Sequence, residues 1–470
     1  MFRHPLTWLC AAALLLTVIA FGDSPWLRTP AISATLVVLL YLAACGYWLL
    51  WQPRQAQRRL RQLLGRQQEG PATLIAYASQ TGTAEQLAWQ AATQLAEGGV
   101  AVEVLPLNQV DAARLQASAR ALFIASTYGE GDPPDNAALF ARRVLATAQD
   151  LGHLHCGVLA LGDRSYAHFC GFGHQLDDWL QQQGAVPLFD RLSADDGDRD
   201  TLDAWQAQLR HLGAAEARHA ETVPWTTAHL AERYQLNPGG PGAPAFHLRL
   251  KPAQPLHWQA GDIVEIALPG QPALTREYSI ASVPGDGGID LLVRQVQHQD
   301  GRFGPGSGWL TVGASEQDAI PVRIRRNPAF HGSDTPLILI GAGTGLAGLR
   351  AHLRERAQQG RHDNWLLFGE RTQTFDSFHQ AELDGWLARG HLQRLDRVFS
   401  RDKGQHRYVQ DVLAASAGTL RTWLARGATI LVCGSLTGMG HDVDQTLRAM
   451  LGDDEVDALI SAGRYRRDLY

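Results

Sequence analysis

Three loops, each directly after a predicted strand, hold the side chains best suited to binding chemistry. Residues 79–85 read SQTGTAE, residues 126–136 read STYGEGDPPDN, and residues 161–170 read LGDRSYAHFC. In the first loop, hydroxyl groups and a glycine precede a helix, where free backbone N–H groups and the positive end of the helix dipole can bind a phosphate without a lysine. Hydroxyl-rich loops are also ordinary helix N-caps, so this loop alone leaves both interpretations open.

A fourth loop has the glycine content of a nucleotide-binding turn. Residues 341–350 read GAGTGLAGLR, follow an apolar strand predicted at 336–340, and open a helix. That context strengthens an assignment to phosphate binding. Near the C-terminus, Cys433 follows a predicted strand at 429–432, and the chain closes with GRYRRDLY. A cysteine so placed is by itself more often a buried small residue than a catalytic one.

The elements that must position these loops show two patterns. From Ala72 onward, short apolar runs alternate with helical stretches such as 84–96, and the predicted strands are 73–78, 101–105, 121–126 and 157–161. The alternation predicts a parallel sheet covered on both faces, with ligands at the carboxyl ends of its strands. Later the periodicity becomes two, which predicts an antiparallel barrel with strands at 246–250, 263–268 and 289–296.

Composition limits the class of protein. A chain of 470 residues predicts about two or three domains. The formal net charge of -5 gives no reason to expect nucleic acid as a partner. The five cysteines show no paired spacing and no CxxC, so neither a disulfide framework nor a cysteine metal site is expected, and no metal site is predicted.

The first sixty residues differ in kind from the rest. Residues 5–21 and 31–51 are apolar runs long enough to span a bilayer. Five arginines lie between residues 54 and 66, after the second run, whereas the polar segment between the two runs contains only Arg28. Because positive charge stays on the cytoplasmic side, both ends of this hairpin are expected there. The expected localisation is the cell inner membrane with cytoplasmic catalytic domains. The alternative is that residues 1–21 are a cleaved signal peptide, which would leave the second span in place.

The first three loops, in this order and at these intervals, resemble the flavodoxin-like FMN domain of the diflavin reductases, the family of NADPH-cytochrome P450 reductase and the sulfite reductase flavoprotein alpha-subunit. The resemblance implies that residues 79–83 bind the FMN phosphate and that Tyr128 and Tyr166 flank the isoalloxazine ring. The FMN contacts implied are Ser79, Gln80, Thr81, Gly82, Thr83, Ser126, Thr127, Tyr128, Gly129, Gly162, Asp163, Tyr166, Phe169 and Asp195.

Residues 276–282 read REYSIAS and match the FAD motif RxYSxxS of the ferredoxin-reductase-like superfamily. The match implies that Arg276 pairs with a pyrophosphate, that Tyr278 stacks on the flavin, and that Ser279 bonds flavin N5. Gly304 and Ser307 occupy the position of a second pyrophosphate loop. The NADPH contacts implied are Gly341, Gly343, Thr344, Gly345, Arg371, Ser400, Arg401, His406, Arg407, Tyr408 and Gln410.

The C-terminal tail is similar to that of the sulfite reductase flavoprotein. By this resemblance Tyr470 covers the FAD ring, while Ser279, Cys433 and Asp468 surround the hydride path as catalytic residues. Three departures stand out. Gly348 replaces the family's proline, His406 replaces a lysine near the 2′-phosphate of NADPH, and the connecting insertion before Arg276 is absent. Histidine as a residue type is mostly neutral near pH 7, so we expect a 2′-phosphate clamp that is weaker or that relies on Arg401 and Arg407.

The sequence therefore predicts a flavodoxin-like α/β domain followed by a ferredoxin-reductase-like module, which combines an antiparallel β-barrel FAD domain with an α/β NADPH domain. The predicted boundaries are 1–66 for the membrane hairpin and basic segment, 71–212 for the FMN domain, 222–330 for the FAD barrel and 331–470 for the NADPH domain. Residues 211–222 are predicted to be a hinge on which the FMN domain swings.

The function that follows is a membrane-bound NADPH-dependent diflavin oxidoreductase, an NADPH–hemoprotein reductase-like enzyme. Electrons would pass from NADPH to FAD, to FMN, and to a one-electron acceptor, with a haemoprotein at the membrane as the first expectation. The alternatives are reduction of ferric chelates or partnership with an iron-uptake system, and a sulfite reductase flavoprotein component. From another class, a flavin sensor or scaffold without turnover remains open.

Overall fold

The computed structural model describes residues 72–80, 82–164, 166–195, 198–216, 224–298 and 300–470. The predicted membrane hairpin and its basic segment lie outside these residues, as does much of the predicted hinge at 211–222. Within the described residues, no helix combines the length and the apolar character that crossing a membrane requires.

The first part of the chain forms a parallel sheet. Its strands are β1 (Thr73–Ala78), β2 (Val102–Pro106), β3 (Arg120–Ser126), β4 (His155–Gly162), β5 (Val186–Pro187) and β6 (Leu192–Asp195). The order is β2-β1-β3-β4-β5, with β6 also paired to β4, which is the flavodoxin-like order. Every residue of β1 is buried, as expected for a central strand covered on both faces.

Five helices cover this sheet. They are α1 (Thr83–Glu97), α2 (Ala112–Ala117), α3 (Asp135–Arg143), α4 (Gly171–Gln182) and α5 (Arg199–His211). α1 buries a stripe of alanines and Leu95 at helical spacing. Asp111 and Asp198 cap α2 and α5 by accepting backbone N–H bonds at the helix start. The carboxyl ends of β1, β3 and β4 lead into the three loops singled out from the sequence, so those loops share one edge of the sheet.

The second part is a six-stranded antiparallel sheet. Its elements are β7 (Thr226–Gln235), β8 (Ala245–Pro252), β9 (Ile263–Leu268), β10 (Gln271–Ser279), β11 (Ile289–Arg294), α6 (Pro305–Gly308) and β12 (Ile320–Arg325). The order is β10-β9-β12-β7-β8-β11, and the two edge strands β10 and β11 also approach each other. β9 passes into β10 through only two residues, Pro269 and Gly270, so no insertion separates β9 from the FAD motif.

The third part is a second parallel sheet with helices on its faces. Its elements are β13 (Leu337–Ala342), α7 (Leu346–Gln358), β14 (Asn364–Glu370), α8 (Gln380–Ala388), β15 (Arg394–Phe399), α9 (Val409–Ala415), α10 (Ala417–Ala425), β16 (Thr429–Gly434), α11 (His441–Leu451), α12 (Asp453–Ser461) and β17 (Tyr465–Leu469). The order is β15-β14-β13-β16-β17. The terminal strand β17 therefore lies at an edge, beside β16.

A buried charge cluster joins the second and third parts. The carboxylate of Asp290, on β11, is fully buried. It accepts hydrogen bonds from Arg249 Nε at 2.6 Å and from Arg350 Nη1 at 3.0 Å. Arg350 lies on α7 and also donates to the carbonyl of Ala281 at 2.8 Å. Since an unpaired buried charge is strongly destabilising, these contacts fix α7 against the antiparallel sheet.

Candidate active site

Ser279, Cys433 and Asp468 meet although they are far apart in sequence. Ser279 ends β10, while Cys433 and Asp468 are paired neighbours on the parallel strands β16 and β17. Ser279 Oγ donates to Asp468 Oδ2 at 2.6 Å, and the thiol of Cys433 lies 3.7 Å from the same oxygen. One carboxylate oxygen thus receives both side chains. The structure brings these predicted catalytic residues together, and their catalytic role stays a prediction.

The cluster is shielded from water, and this decides its protonation. Burial raises the pKa of the Asp468 carboxyl, and hydrogen bonds from Ser279 and Cys433 offset part of that rise. Burial and the adjacent Asp468 raise the pKa of the Cys433 thiol well above its ordinary value. A cysteine in this state is a thiol and not a thiolate, so it can donate a proton in a hydrogen bond but does not act as a nucleophile at neutral pH.

Tyr470 lies beside this cluster with 54% of its surface exposed. Its hydroxyl is 3.1 Å from Thr344 Oγ1, and its backbone N–H donates to Gly434 O at 3.0 Å. The glycine-rich loop at residues 341–345 passes so close to β16 that a Cβ on Gly345 would lie 2.1 Å from Cys433 O. Gly343 has a φ of +60°, a conformation that favours glycine. The loop and the terminal tyrosine therefore border the same cluster.

The two stretches predicted to bind FAD pyrophosphate are in contact. A Cβ on Gly306 would lie 2.6 Å from Arg276 Cγ and 3.1 Å from the Tyr278 hydroxyl. Ser307 Oγ accepts from the N–H of Val296 at 3.1 Å, and Gly304 lies beside Ser307. Burial raises the pKa of Tyr278 to about 12, so its hydroxyl stays protonated. The contact between Gly306 and Arg276 leaves no room for a larger residue at 306.

The residues predicted to surround the NADPH 2′-phosphate are exposed for the most part. Arg401, Arg407 and Tyr408 are exposed, and Arg407 Nη2 donates to Ser400 O at 3.0 Å. His406 is half-buried between them.

Two further predicted contacts have protein partners of their own. Gln410 Nε2 donates to Asp442 Oδ2 at 3.0 Å. Arg371 packs against Gly242, where a Cβ would meet its Nη1 at 2.5 Å. Among the residues predicted to bind NADPH, the exposed arginines are therefore more accessible to a ligand than these two side chains.

The loop before α1, which is predicted to bind the FMN phosphate, turns at Gly82. Gly82 has a φ of +92°, and its N–H donates to Ser79 Oγ at 3.0 Å. Thr81 lies outside the described residues. Gln80 is buried and bonds the N–H of Asp135 through its side-chain oxygen at 2.9 Å, so its amide supports the loop. Thr83 Oγ1 accepts from Arg325 Nη1 at 3.3 Å, which brings an arginine of β12 to this loop.

The two predicted flavin-flanking aromatics differ in surroundings. Tyr166 is 42% exposed, as an aromatic free to cover a ligand would be. Tyr128 is buried, and its hydroxyl donates to the carbonyl of Leu469 at 2.8 Å. Beside it, a Cβ on Gly129 would lie 2.0 Å from Leu436 Cδ2. The edge of the first sheet is thus pressed against the C-terminal part of the chain.

The remaining predicted FMN contacts lie along the same edge of the first sheet. Ser126 ends β3, and Thr127 Oγ1 accepts from the N–H of Phe172 at 3.2 Å. Asp195 accepts from the N–H of Arg164 at 3.0 Å, and Arg164 lies 4.4 Å from the centre of the Phe169 ring. Gly162 and Asp163 lie in the same loop, where a Cβ on Gly162 would meet Cys170 N at 2.6 Å.

Sequence reasoning missed the residues that join the two parts at this edge. Arg467 Nε donates to Asp135 Oδ1 at 2.7 Å, and Gln80 Nε2 donates to Arg467 O at 2.8 Å. Arg142 pairs with Asp457, which is almost fully buried. The only signal in the sequence was the run of arginines before Asp468, and that run does not predict which residues they contact.

The residues present fit three cofactors. The hydroxyl and glycine loop before α1 suits the FMN phosphate, Arg276 beside Gly306 suits the FAD pyrophosphate, and the exposed arginines after β15 suit the NADPH phosphate.

Comparisons with known proteins support the three cofactors. The family model described as Flavodoxin matches residues 75–206, and the one described as Oxidoreductase NAD-binding domain matches residues 339–445. The chain is 26% identical to the sulfite reductase [NADPH] flavoprotein alpha-component of Aliivibrio fischeri, over 90% of this chain and 94% of that protein. Its counterpart in Thiocapsa roseopersicina is 30% identical over 79% of this chain and 82% of that protein. That of Bacillus subtilis is 26% identical over 84% and 89%. The cofactors are FMN, FAD and NADPH.

The predicted inner-membrane localisation is contradicted. The relatives matched over most of this chain are sulfite reductase flavoproteins. The prediction relied only on the length and flanking charge of two apolar runs, and those runs lie outside the described residues.

Proposed function

The chain belongs to the diflavin reductase family, and from this premise we propose that it is the NADPH-oxidising flavoprotein component of a sulfite reductase. Electrons pass from NADPH through FAD to FMN and then to a one-electron acceptor. The names of its relatives and the coverage of their length support an acceptor within a sulfite reductase over the membrane haemoprotein that the sequence first suggested. No contact in the described part of the chain favours a ferric chelate.

The observation that carries the proposal is that residues of β17 contact both predicted sites. Asp468 points into the cluster with Ser279 and Cys433. Its neighbours Arg467 and Leu469 contact the FMN-binding edge through Asp135 and Tyr128. One five-residue strand therefore links the hydride site to the second flavin site. This is the arrangement expected of an enzyme that transfers electrons between the two, and not of a flavin-bearing scaffold.

When bound, NADPH supplies a hydride and the two flavins convert an electron pair into single electrons. The protein's residues arrange that chemistry. Ser279 Oγ directs its proton to Asp468, so the serine oxygen keeps its lone pairs as acceptors. Ser279 keeps its hydroxyl proton, and because burial raises the pKa of the Asp468 carboxyl, Asp468 takes up a proton more readily than an exposed carboxylate would. Cys433 stays a thiol and helps to exclude water. Tyr470, bonded through its hydroxyl to Thr344, covers the site and must move for nicotinamide to enter.

The test separates flavin chemistry from acceptor identity. The purified flavin-loaded protein is mixed with the haemoprotein component of a bacterial sulfite reductase, NADPH and sulfite, and sulfide formation is measured. Ferricyanide reduction by NADPH is measured in parallel, and Asp468→Asn serves as the matched variant impaired in hydride transfer. Sulfide formation that depends on both proteins supports the proposal. Rapid ferricyanide reduction without sulfide would overturn the acceptor assignment, and no NADPH oxidation with either acceptor would overturn the enzyme assignment.

A further inference from the structure

The loop predicted to bind the FMN phosphate has no basic side chain of its own. Residues 79–97, which cover this loop and all of α1, contain Glu85 and Glu97 but neither lysine nor arginine. A phosphate monoester carries a charge of about −1.5 to −2 near pH 7. Backbone N–H groups at a helix start can bind such an anion, but they supply only partial charges. A full positive charge at this loop therefore has to come from another part of the chain.

Arg325 brings that charge from the antiparallel sheet. Its Nη1 donates to Thr83 Oγ1 at 3.3 Å, and Thr83 is the residue with which α1 begins. Beside this contact, a Cβ on Gly82 would lie 3.4 Å from Arg326 O and 3.7 Å from Pro328 Cδ. The segment that follows β12 therefore packs against the loop, so the approach of the two does not depend on one long side chain.

Two carboxylates of neighbouring strands hold the other edge of the Arg325 guanidinium. Glu277, on β10, accepts a hydrogen bond from Nη2, and Glu265 Oε1, on β9, lies 3.4 Å from Nε. The Arg325 side chain is only 15% exposed, so its orientation is fixed, with Nη1 facing the loop. Glu265 also pairs with Arg323, so the charge of this carboxylate is shared between two arginines.

We propose that Arg325 binds the phosphate of FMN, which Thr83 and its loop hold from the other side. This rests on the proposed function, in which residues 79–83 bind the phosphate of the flavin that receives electrons from FAD. A guanidinium presents several N–H groups in one plane, and its charge-assisted bonds to phosphate are stronger than neutral hydrogen bonds. FMN is then held by two parts of the chain, the flavodoxin-like sheet through its loop and the antiparallel sheet through Arg325.

The test compares FMN with riboflavin, which has the same ring system and ribityl chain but no phosphate. FMN is removed from the purified protein while FAD stays bound, and the affinity for each ligand is measured by isothermal titration calorimetry. We expect Arg325→Gln to weaken FMN binding about tenfold, the size of one lost hydrogen bond to a charged group. Riboflavin binding should stay at the wild-type value.

Arg323→Gln is the matched control. Arg323 lies two residues earlier on β12, so its side chain is on the same face of the sheet. It pairs with Glu265 as Arg325 does, but its guanidinium lies over the ring of Trp225, 4.6 Å from the ring centre. The variant removes the same charge and should leave the affinity for both ligands unchanged. A loss of FMN affinity as large as that in Arg325→Gln would overturn the proposal.

Two results with Arg325→Gln would also overturn it. Equal losses of FMN and riboflavin affinity would mean that the arginine only supports the fold of the site, and an unchanged FMN affinity would mean that it does not reach the phosphate. Should this variant not fold, Glu277→Gln decides. It removes a carboxylate that competes for Arg325, so FMN but not riboflavin should bind about threefold more tightly, and an unchanged ratio of the two affinities would contradict the proposal. These measurements need no turnover and no acceptor, so their failure is distinct from failure of the sulfide assay.

Discussion

The hydroxyl of Tyr128 donates a hydrogen bond of 2.8 Å to the backbone carbonyl of Leu469. Tyr128 follows β3 of the flavodoxin-like sheet, and Leu469 ends β17, so the bond joins two sites that lie 341 residues apart in sequence. Gln80 makes a parallel bond to the carbonyl of Arg467 at 2.8 Å. Both acceptors are main-chain atoms of one strand, so the predicted FMN-binding edge contacts the same strand that carries Asp468.

Removing the Tyr128 hydroxyl tests whether this contact serves electron transfer between the flavins. Tyr128→Phe keeps the aromatic ring but leaves the Leu469 carbonyl without its buried partner, which costs about 1–3 kcal/mol. We expect slower reduction of FMN after NADPH addition, measured by stopped flow, with an unchanged first phase of FAD reduction. Tyr234→Phe is the control, since this exposed tyrosine lies on β7 and is not among the predicted flavin contacts. Equal FMN reduction in the two variants would show that the contact has no part in transfer.

The ion pair between Arg467 and Asp135 should stabilise the joined state. Both side chains are largely shielded, and removal of one partner of such a pair costs about 3 kcal/mol. Arg143 and Asp454 form a matched exposed pair at 3.1 Å across the same interface, and exposed pairs contribute about 0–1 kcal/mol. Asp135→Asn is thus expected to lower the unfolding free energy in urea far more than Asp454→Asn. Similar losses would contradict the assignment.

The family resemblance predicted that Ser279, Cys433 and Asp468 lie together, and the structure brings them into contact. Sequence patterns did not predict β17, whose sequence YRRDL holds three charged residues in five and lacks the apolar run of a buried strand. They could not predict the partners of Arg467, since these depend on how two modules pack. The absence of a connecting insertion was visible in the sequence, but the direct contact of the two parts was not.

The pH dependence of stability should reveal the buried Asp468. Burial raises its folded pKa above the ordinary value of 3.8. Below pH 3.8 the residue is protonated in both states, and its contribution to stability is lost as pH rises through the folded pKa. Asp468→Asn keeps a neutral side chain at every pH. Its stability relative to the wild type should therefore improve between acid and neutral pH, as measured by urea unfolding. A difference that does not vary with pH would mean that the carboxyl is not perturbed.

His406 should limit the affinity for NADPH. A lysine in its place adds a full positive charge beside Arg407, and an exposed charge pair contributes up to about 1 kcal/mol. We expect His406→Lys to lower the KM for NADPH about threefold at low salt, with little effect on NADH and with the gain lost at high salt. Gln405→Lys, an exposed neighbour, controls for net charge. If both variants change the KM equally, the charge acts at long range and His406 is not at the phosphate.

Tyr470 should govern entry of nicotinamide to the hydride site. Its hydroxyl is 3.1 Å from Thr344, and its half-exposed ring can move without disturbing the core. Stacking of an aromatic ring on the flavin contributes about 1 kcal/mol. In Tyr470→Ala the nicotinamide has no such ring to displace, so binding of the dinucleotide depends less on its 2′-phosphate. We expect the preference for NADPH over NADH, as the ratio of kcat/KM values, to fall about fivefold. Tyr470→Phe retains the ring and should stay near the wild type. If the alanine and phenylalanine variants show the same preference and the same rate of hydride transfer, then Tyr470 does not cover the flavin.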